Sequence, residues 1–108
     1  MTQTPALLIY TSYRLLPDNT EAFRALALRM ATAARGRDGC AFLDVAQDAA
    51  DPATFRLIEG WRDQAALDAH GASDEFQAVM KEAGALKVVD RSIDLYSVAD
   101  KKTVGLPS

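Results

Sequence analysis

Two helix-period segments, split by a pair of strand-like runs and flanked by two more, leave few folds open to this sequence. Residues Ala6 to Tyr13 read Ala-Leu-Leu-Ile-Tyr-Thr-Ser-Tyr, rich in the aliphatic, aromatic and β-branched types that suit a pleated strand. Phe23, Leu26, Ala27, Met30 and Ala34 then recur at helical spacing as one apolar stripe, with Arg24, Arg29 and Arg35 mostly off it. Cys40 to Asp48 and Thr54 to Trp61 follow as two strand-like runs in succession, separated only by a loop at Ala49-Ala50-Asp51-Pro52. So short a link predicts an antiparallel pair. A helical region runs from Gln64 to His70 and resumes after Ser73, where Phe76, Val79, Met80 and Ala83 form its stripe. Lys87 to Val98 reads as the last strand.

The punctuation agrees with this division. Pro17 biases Leu16 away from helix. Asp18, with Glu21 three residues on, is expected to cap the first helix as a capping box. Gly36 suits the residue just past that helix, and Gly39 allows a turn into the next strand. Asp63 and Ser73 are expected caps, with Asp74 and Glu75 well placed in a helical first turn. Gly71 and Gly84 are the corresponding helix ends.

Strand, helix, strand, strand, helix pair, strand is the split βαβ pattern. The predicted fold is therefore α+β and ferredoxin-like, βαββαβ, with a four-stranded antiparallel sheet and both helical regions on one face. At 108 residues the chain has room for one domain. That domain is expected over residues 1–98, followed by a polar C-terminal tail over 99–108 that holds Gly105 and Pro107. Leu8, Tyr10, Leu43, Val45, Ile58, Ile93 and Leu95 place apolar side chains on both parities of the strands. A sheet apolar on both faces needs two covers. Helices supply one; a second copy of the sheet, related by a two-fold axis, supplies the other, so a homodimer is expected.

Charge and cysteine usage narrow the setting. The formal net charge is -3, and no run of Lys or Arg forms a stripe. That argues against nucleic acid, where affinity rests on phosphate neutralisation, and against an anionic membrane surface. The apolar stretch Ala6 to Tyr10 is too short for a signal-peptide core, and nothing reaches a transmembrane length. Cys40 is the single cysteine, so no internal disulfide can form, which fits a reducing compartment and a cytoplasmic location. Among its apolar neighbours Cys40 reads as a small buried hydrophobe. One His and one Cys far apart in sequence make no recognisable zinc site. Phosphate loop, dinucleotide fingerprint and nucleophile elbow are all missing from the sequence.

The segment Phe55-Arg56-Leu57-Ile58-Glu59-Gly60-Trp61-Arg62-Asp63, then Ala66-Leu67-Asp68-Ala69-His70, then Ser73-Asp74-Glu75-Phe76 resembles the antibiotic biosynthesis monooxygenase family of dimeric α/β barrels. The resemblance spans residues 6–97. It implies a monooxygenase that uses no metal, haem or flavin. The substrate, a quinol-like or polyketide aromatic small molecule, itself donates electrons to molecular oxygen. Such chemistry needs an apolar cavity, a base, and donors to hold an anion. Leu57 stands where some anthrone-oxidising relatives carry Asn, four residues before the tryptophan. Val79 and Met80 occupy the neighbourhood of the haem-binding histidine of the haem-degrading branch, which argues against haem degradation.

Against that background His70, the only histidine, is the candidate base or proton shuttle. A histidine in the last turn of a helix is equally favoured because its positive charge is stabilised there. Trp61, the only tryptophan, is the second catalytic candidate, as a cavity wall whose N–H meets a developing anion, or else a core aromatic at a strand end. Glu59 shares a strand face with Trp61; a buried carboxylate needs a partner, and Arg56, Arg62 and Arg91 are the candidates. A structural ion pair or an exposed rim charge is the alternative for Glu59. Glu59, Phe23, Phe76, Met80 and Tyr10 are expected to border the substrate cavity, with Tyr13 and Tyr96 as further hydroxyl donors. Two other functions use the same scaffold: isomerase or tautomerase-type proton transfer, and small-molecule binding without catalysis.

Overall fold

The computed structural model describes residues 4–106. Its elements are β1 (Leu7–Leu15), a 3-10 turn (Pro17–Asn19), α1 (Thr20–Arg35), β2 (Cys40–Gln47), β3 (Thr54–Trp61), α2 (Gln64–Gly71), α3 (Asp74–Ala83) and β4 (Val88–Ser97). The strands lie in the order β2-β3-β1-β4, each antiparallel to its neighbours. This is the ferredoxin-like α+β fold that the periodicities predict.

Register decides which side chains meet. Ile9 lies between Glu59 and Leu95, Thr11 between Leu57 and Ile93, and Tyr13 between Phe55 and Arg91. Strand side chains alternate, so all of these leave one face of the sheet. The helices pack on that face, α1 against β2 and α3, and α2 against β3. The apolar stripe of α1 is buried as its spacing predicts, with Ala31 added. Ala31, Ala34, Leu43 and Trp61 form one part of the core. Two alanines on the helix face let the backbone come close enough to cover the indole without a void, and native packing density leaves little slack there. Tyr13, Phe23, Ala27 and Phe55 form the neighbouring part.

Two local features depart from the sequence reading, at Asp18 and Gly36, while the turn at Gly39 forms as expected. Asp18 does not cap α1: it lies within the 3-10 turn, Asn19 holds the cap position, and no side chain accepts from the first helical N–H groups. Asn19 Oδ1 instead accepts from the Lys87 N–H at 3.1 Å, tying the start of α1 to the entry of β4. Gly36 stays right-handed at φ -86. The chain reverses at Gly39, whose φ is 87, and a Cβ there would lie 2.4 Å from the Ala66 Cβ. The other two caps form as expected. Asp63 accepts from the Ala66 N–H at 2.8 Å and Ser73 from the Phe76 N–H at 3.2 Å.

The helical layer also stops short of the sheet's edge. Every residue of β4 is exposed, including Ile93 (55%) and Leu95 (51%), which share the helix-side face. The expectation of one fully covered face therefore holds over β1, β2 and β3 only. The cause is length: α2 has 8 residues and α3 has 10, and they lie against β3 and α1. On the opposite face Leu8, Tyr10 and Ile58 are half-buried, and Tyr96 is exposed. Residues 98–106 form neither helix nor strand. The outermost residues of the expected domain and tail, 1–3 and 107–108, lie outside the described residues. No helix among the described residues is long and apolar enough to cross a membrane.

Candidate active site

Alternation along β3 brings Phe55, Leu57, Glu59 and Trp61 to the helix-side face. Trp61 closes the strand and is fully buried. Its Nε1–H donates to Glu59 Oε1 at 3.0 Å. This replaces the expected arginine partner. Arg56 instead pairs with Asp48 at 2.6 Å, Arg62 pairs with Asp38 at 3.0 Å and with Asp63, and Arg91 enters no salt bridge among the described residues.

His70 sits in the last turn of α2, directly over the indole. The two rings stack at 4.8 Å between centroids with 27° between planes. Phe76 meets the imidazole in an edge-type pair, at 5.1 Å between centroids and 69° between planes. Its backbone is fixed as well, because the His70 carbonyl accepts from both the hydroxyl (2.7 Å) and the N–H (3.1 Å) of Ser73. The same hydroxyl caps α3, so one side chain sets the bend between the two helices and the position of the ring. His70 is only 3% exposed, and its Nδ1 is buried with no hydrogen-bond partner among the described residues. Leaving such a nitrogen unpaired costs about 1–3 kcal/mol, and native structures rarely do so without a reason.

A cavity of about 380 Å³ opens beside this group. Ile9, Met30, Leu57, Phe76 and Met80 supply apolar wall, and Thr11, Glu59, Asp68 and His70 the polar points. Its size and mixture suit a small apolar molecule oriented by a few polar contacts.

Burial sets the charge states. It holds His70 below the ordinary histidine value of 6.5, the Arg37 charge adds to this, and Glu75 opposes it. The imidazole is thus neutral at pH 7, which is the form that accepts a proton. Desolvation thus works against the charged histidine that a helix C-terminus would stabilise. Glu59 is pushed the other way: burial raises its carboxyl above the ordinary range, and the Trp61 hydrogen bond only partly offsets this. Burial likewise raises the Cys40 thiol, leaving it a poor nucleophile.

Of the residues singled out in the sequence, Tyr13, Glu59, His70, Phe76 and Met80 meet around the cavity. Trp61 lies behind it, under Glu59 and His70, with its N–H already engaged. Phe23 packs on Tyr13 and Phe55 at 4.9 and 5.2 Å, in the core cluster next door. Tyr10 is in register with Ile58 and Asp94 and leaves the opposite face. Thr11 and Asp68 were missed. Thr11 was legible as a polar residue between Ile9 and Tyr13 on the buried parity; Asp68 carried no signal, since helical spacing puts it off the stripe.

A family model described as antibiotic biosynthesis monooxygenase matches residues 7–82. A Pseudomonas aeruginosa protein of known structure is 28% identical, covers 93% of this chain and 99% of its own, and superposes with a TM-score of 0.80. A Mycobacterium tuberculosis protein is 26% identical, with 93% and 100% covered and a TM-score of 0.83. An uncharacterized Synechocystis protein is 26% identical over 98 residues, which is 91% of this chain and 67% of that protein.

Proposed function

Because this chain belongs to the antibiotic biosynthesis monooxygenase family, we propose that its cavity carries out cofactor-independent monooxygenation of a quinol-like or polyketide aromatic. The observation that carries the reading is the buried His70, whose Nδ1 has no partner among the described residues, beside a mostly apolar cavity. His70 takes the proton from a phenolic hydroxyl or an activated CH₂ between aromatic rings. The electron-rich carbanion then bonds to dioxygen, and the resulting hydroperoxide loses water. For the CH₂ case the balance is CH₂ + O₂ → C=O + H₂O, with the substrate carbon as the only reductant. Trp61 and Phe76 hold the imidazole plane, and dry walls keep the anion from being quenched by solvent.

The working unit on this reading is a cytoplasmic homodimer. The half-buried Leu8, Tyr10 and Ile58 on the sheet's far face support it, as two such faces can cover one another.

The test is oxygen uptake by metal-stripped protein with a panel of quinols and anthrones, beside His70→Ala. Uptake that requires His70 supports the proposal. Its absence across the panel sinks it and shifts weight to a binding-only barrel.

One observation favours a second reading. Glu59 is raised and His70 lowered at one cavity, the arrangement of an acid and a base working as a pair. Proton transfer of the isomerase or tautomerase type uses that pair without oxygen. Turnover that persists under anaerobic conditions identifies it.

A further inference from the structure

Tyr13 and Met80, on the wall of this cavity, also line a second recess of about 380 Å³, which Ala83, Leu86 and Val88 border at the end of α3 and the start of β4. Its far end holds Lys87 and Arg91. The backbone fixes both positions. Arg91 stands opposite Tyr13 in the β1–β4 ladder and two residues from Ile93, so its side chain leaves the cavity-side face. Lys87 is anchored twice: its N–H donates to Asn19 Oδ1, and its carbonyl accepts from the Leu16 N–H at 3.0 Å.

The charge pattern along this trough is one-sided at each end. Among the described residues, Lys87 and Arg91 enter no salt bridge, as is true also of Arg14, Arg35, Lys81, Lys101 and Lys102, but these two share one recess. No carboxylate lines their recess. The carboxylates of the trough, Glu59 and Asp68, line the other cavity with His70. On a chain of net charge -3, Lys87 and Arg91 thus bring two positive charges to one recess that no described carboxylate lines.

We propose that the two recesses form one elongated site for an aryl carboxylate, with Lys87 and Arg91 holding the carboxylate and the ring hydroxyl at His70. The assignment of His70 as the reacting end rests on the function proposed above; the anion end does not. A guanidinium can meet a carboxylate through two parallel N–H bonds, and Lys87 adds a point charge beside it. Both cations are exposed, so their role is to choose and orient the substrate more than to bind it tightly. With the anion fixed at one end, only one end of a long molecule can reach the imidazole.

The test compares 4′-hydroxybiphenyl-4-carboxylate with 4-phenylphenol, the same rings without the carboxylate, by calorimetry under nitrogen. Wild type should bind the carboxylate roughly tenfold more tightly, the product of two exposed charge contacts. Lys87→Gln combined with Arg91→Gln should bring the carboxylate down to the phenol's affinity and leave the phenol unchanged. Raised salt should narrow the same gap in wild type. Equal affinities in wild type, equal loss of both ligands in the variant, or no binding of either would overturn the proposal. Because no turnover is read, a failed oxygenase reading leaves this result standing, and His70→Ala should keep the preference for the carboxylate.

Discussion

Trp61 gives its one polar hydrogen to Glu59, at 3.0 Å, while its ring face supports His70. A single buried side chain thereby fixes both titratable groups of the cavity. The arrangement follows from β3 alternation, which puts Glu59 and Trp61 on one face, and from the Ser73 clamp, which brings α2 down over them.

The bond should be readable in stability. Glu59→Gln keeps an acceptor for the indole and should unfold at nearly the wild-type urea midpoint. Glu59→Leu leaves the indole N–H buried and unpaired, and should be less stable than Glu59→Gln by about 1–3 kcal/mol. Equal stabilities for the two variants would show that the hydrogen bond contributes nothing.

The aromatic floor should matter more. Trp61→Ala removes a fully buried side chain and should cost about 3–5 kcal/mol in urea unfolding. Trp61→Phe keeps a ring against His70 but removes the donor. Because that hydrogen bond holds the Glu59 carboxyl down, the Glu59 titration in Trp61→Phe should move further up, as followed by carbon-13 NMR of the carboxyl.

The two groups impose opposite pH slopes on folding. His70 titrates below 6.5 in the folded chain, so between that lower value and 6.5 the unfolded chain holds more protons. Its stabilising contribution is present above 6.5 and is lost as pH falls through the folded value. Glu59 titrates above its ordinary 4.5, so its contribution is present below 4.5 and is lost as pH rises through the raised value. Thermal unfolding against pH should therefore show a shallower acid-side fall for His70→Phe than for wild type, and the reverse sign of difference for Glu59→Gln. Parallel curves would contradict both assignments.

Gly39 should be intolerant of any side chain. Its φ of 87 and the 2.4 Å approach of a Cβ to Ala66 make Gly39→Ala strained twice over, costing about 1–3 kcal/mol for the backbone alone. Ala66 lies on α2, one turn before His70, so the proton NMR signal of His70 should shift as well. A stability within error of wild type would contradict the geometry.

The far face of the sheet carries the dimer prediction. Ile58 is in register with Tyr10 there. Ile58→Lys should convert a dimer to a folded monomer in sedimentation equilibrium, with far-ultraviolet circular dichroism unchanged. A wild-type chain that sediments as a monomer would refute the dimer outright.

The fold was legible because each element declared its own period. The stripe from Phe23 to Ala34, the bounds of β3 and the caps Asp63 and Ser73 all hold. What the sequence could not show was reach. Nothing in the run Lys87 to Val98 says that the helices stop before β4, since that depends on where short helices come to rest. The same limit explains the site. Glu59 and Trp61 share a face by simple alternation, but their hydrogen bond depends on rotamers, and arginines looked like the better partners until Asp38 and Asp48 were found to take them. Phe23 was legible as apolar and inward, yet whether an inward ring meets core or cavity depends on the neighbours that fill the space around it.

The most direct test of the central claim is incorporation of isotopically heavy dioxygen into product by metal-stripped enzyme, read by mass spectrometry for wild type and His70→Ala on an anthrone or quinol that is turned over. The account predicts one heavy oxygen atom per product molecule with wild type and none above the uncatalysed background with the variant. Product formed without heavy oxygen, or formed equally well without His70, would contradict it.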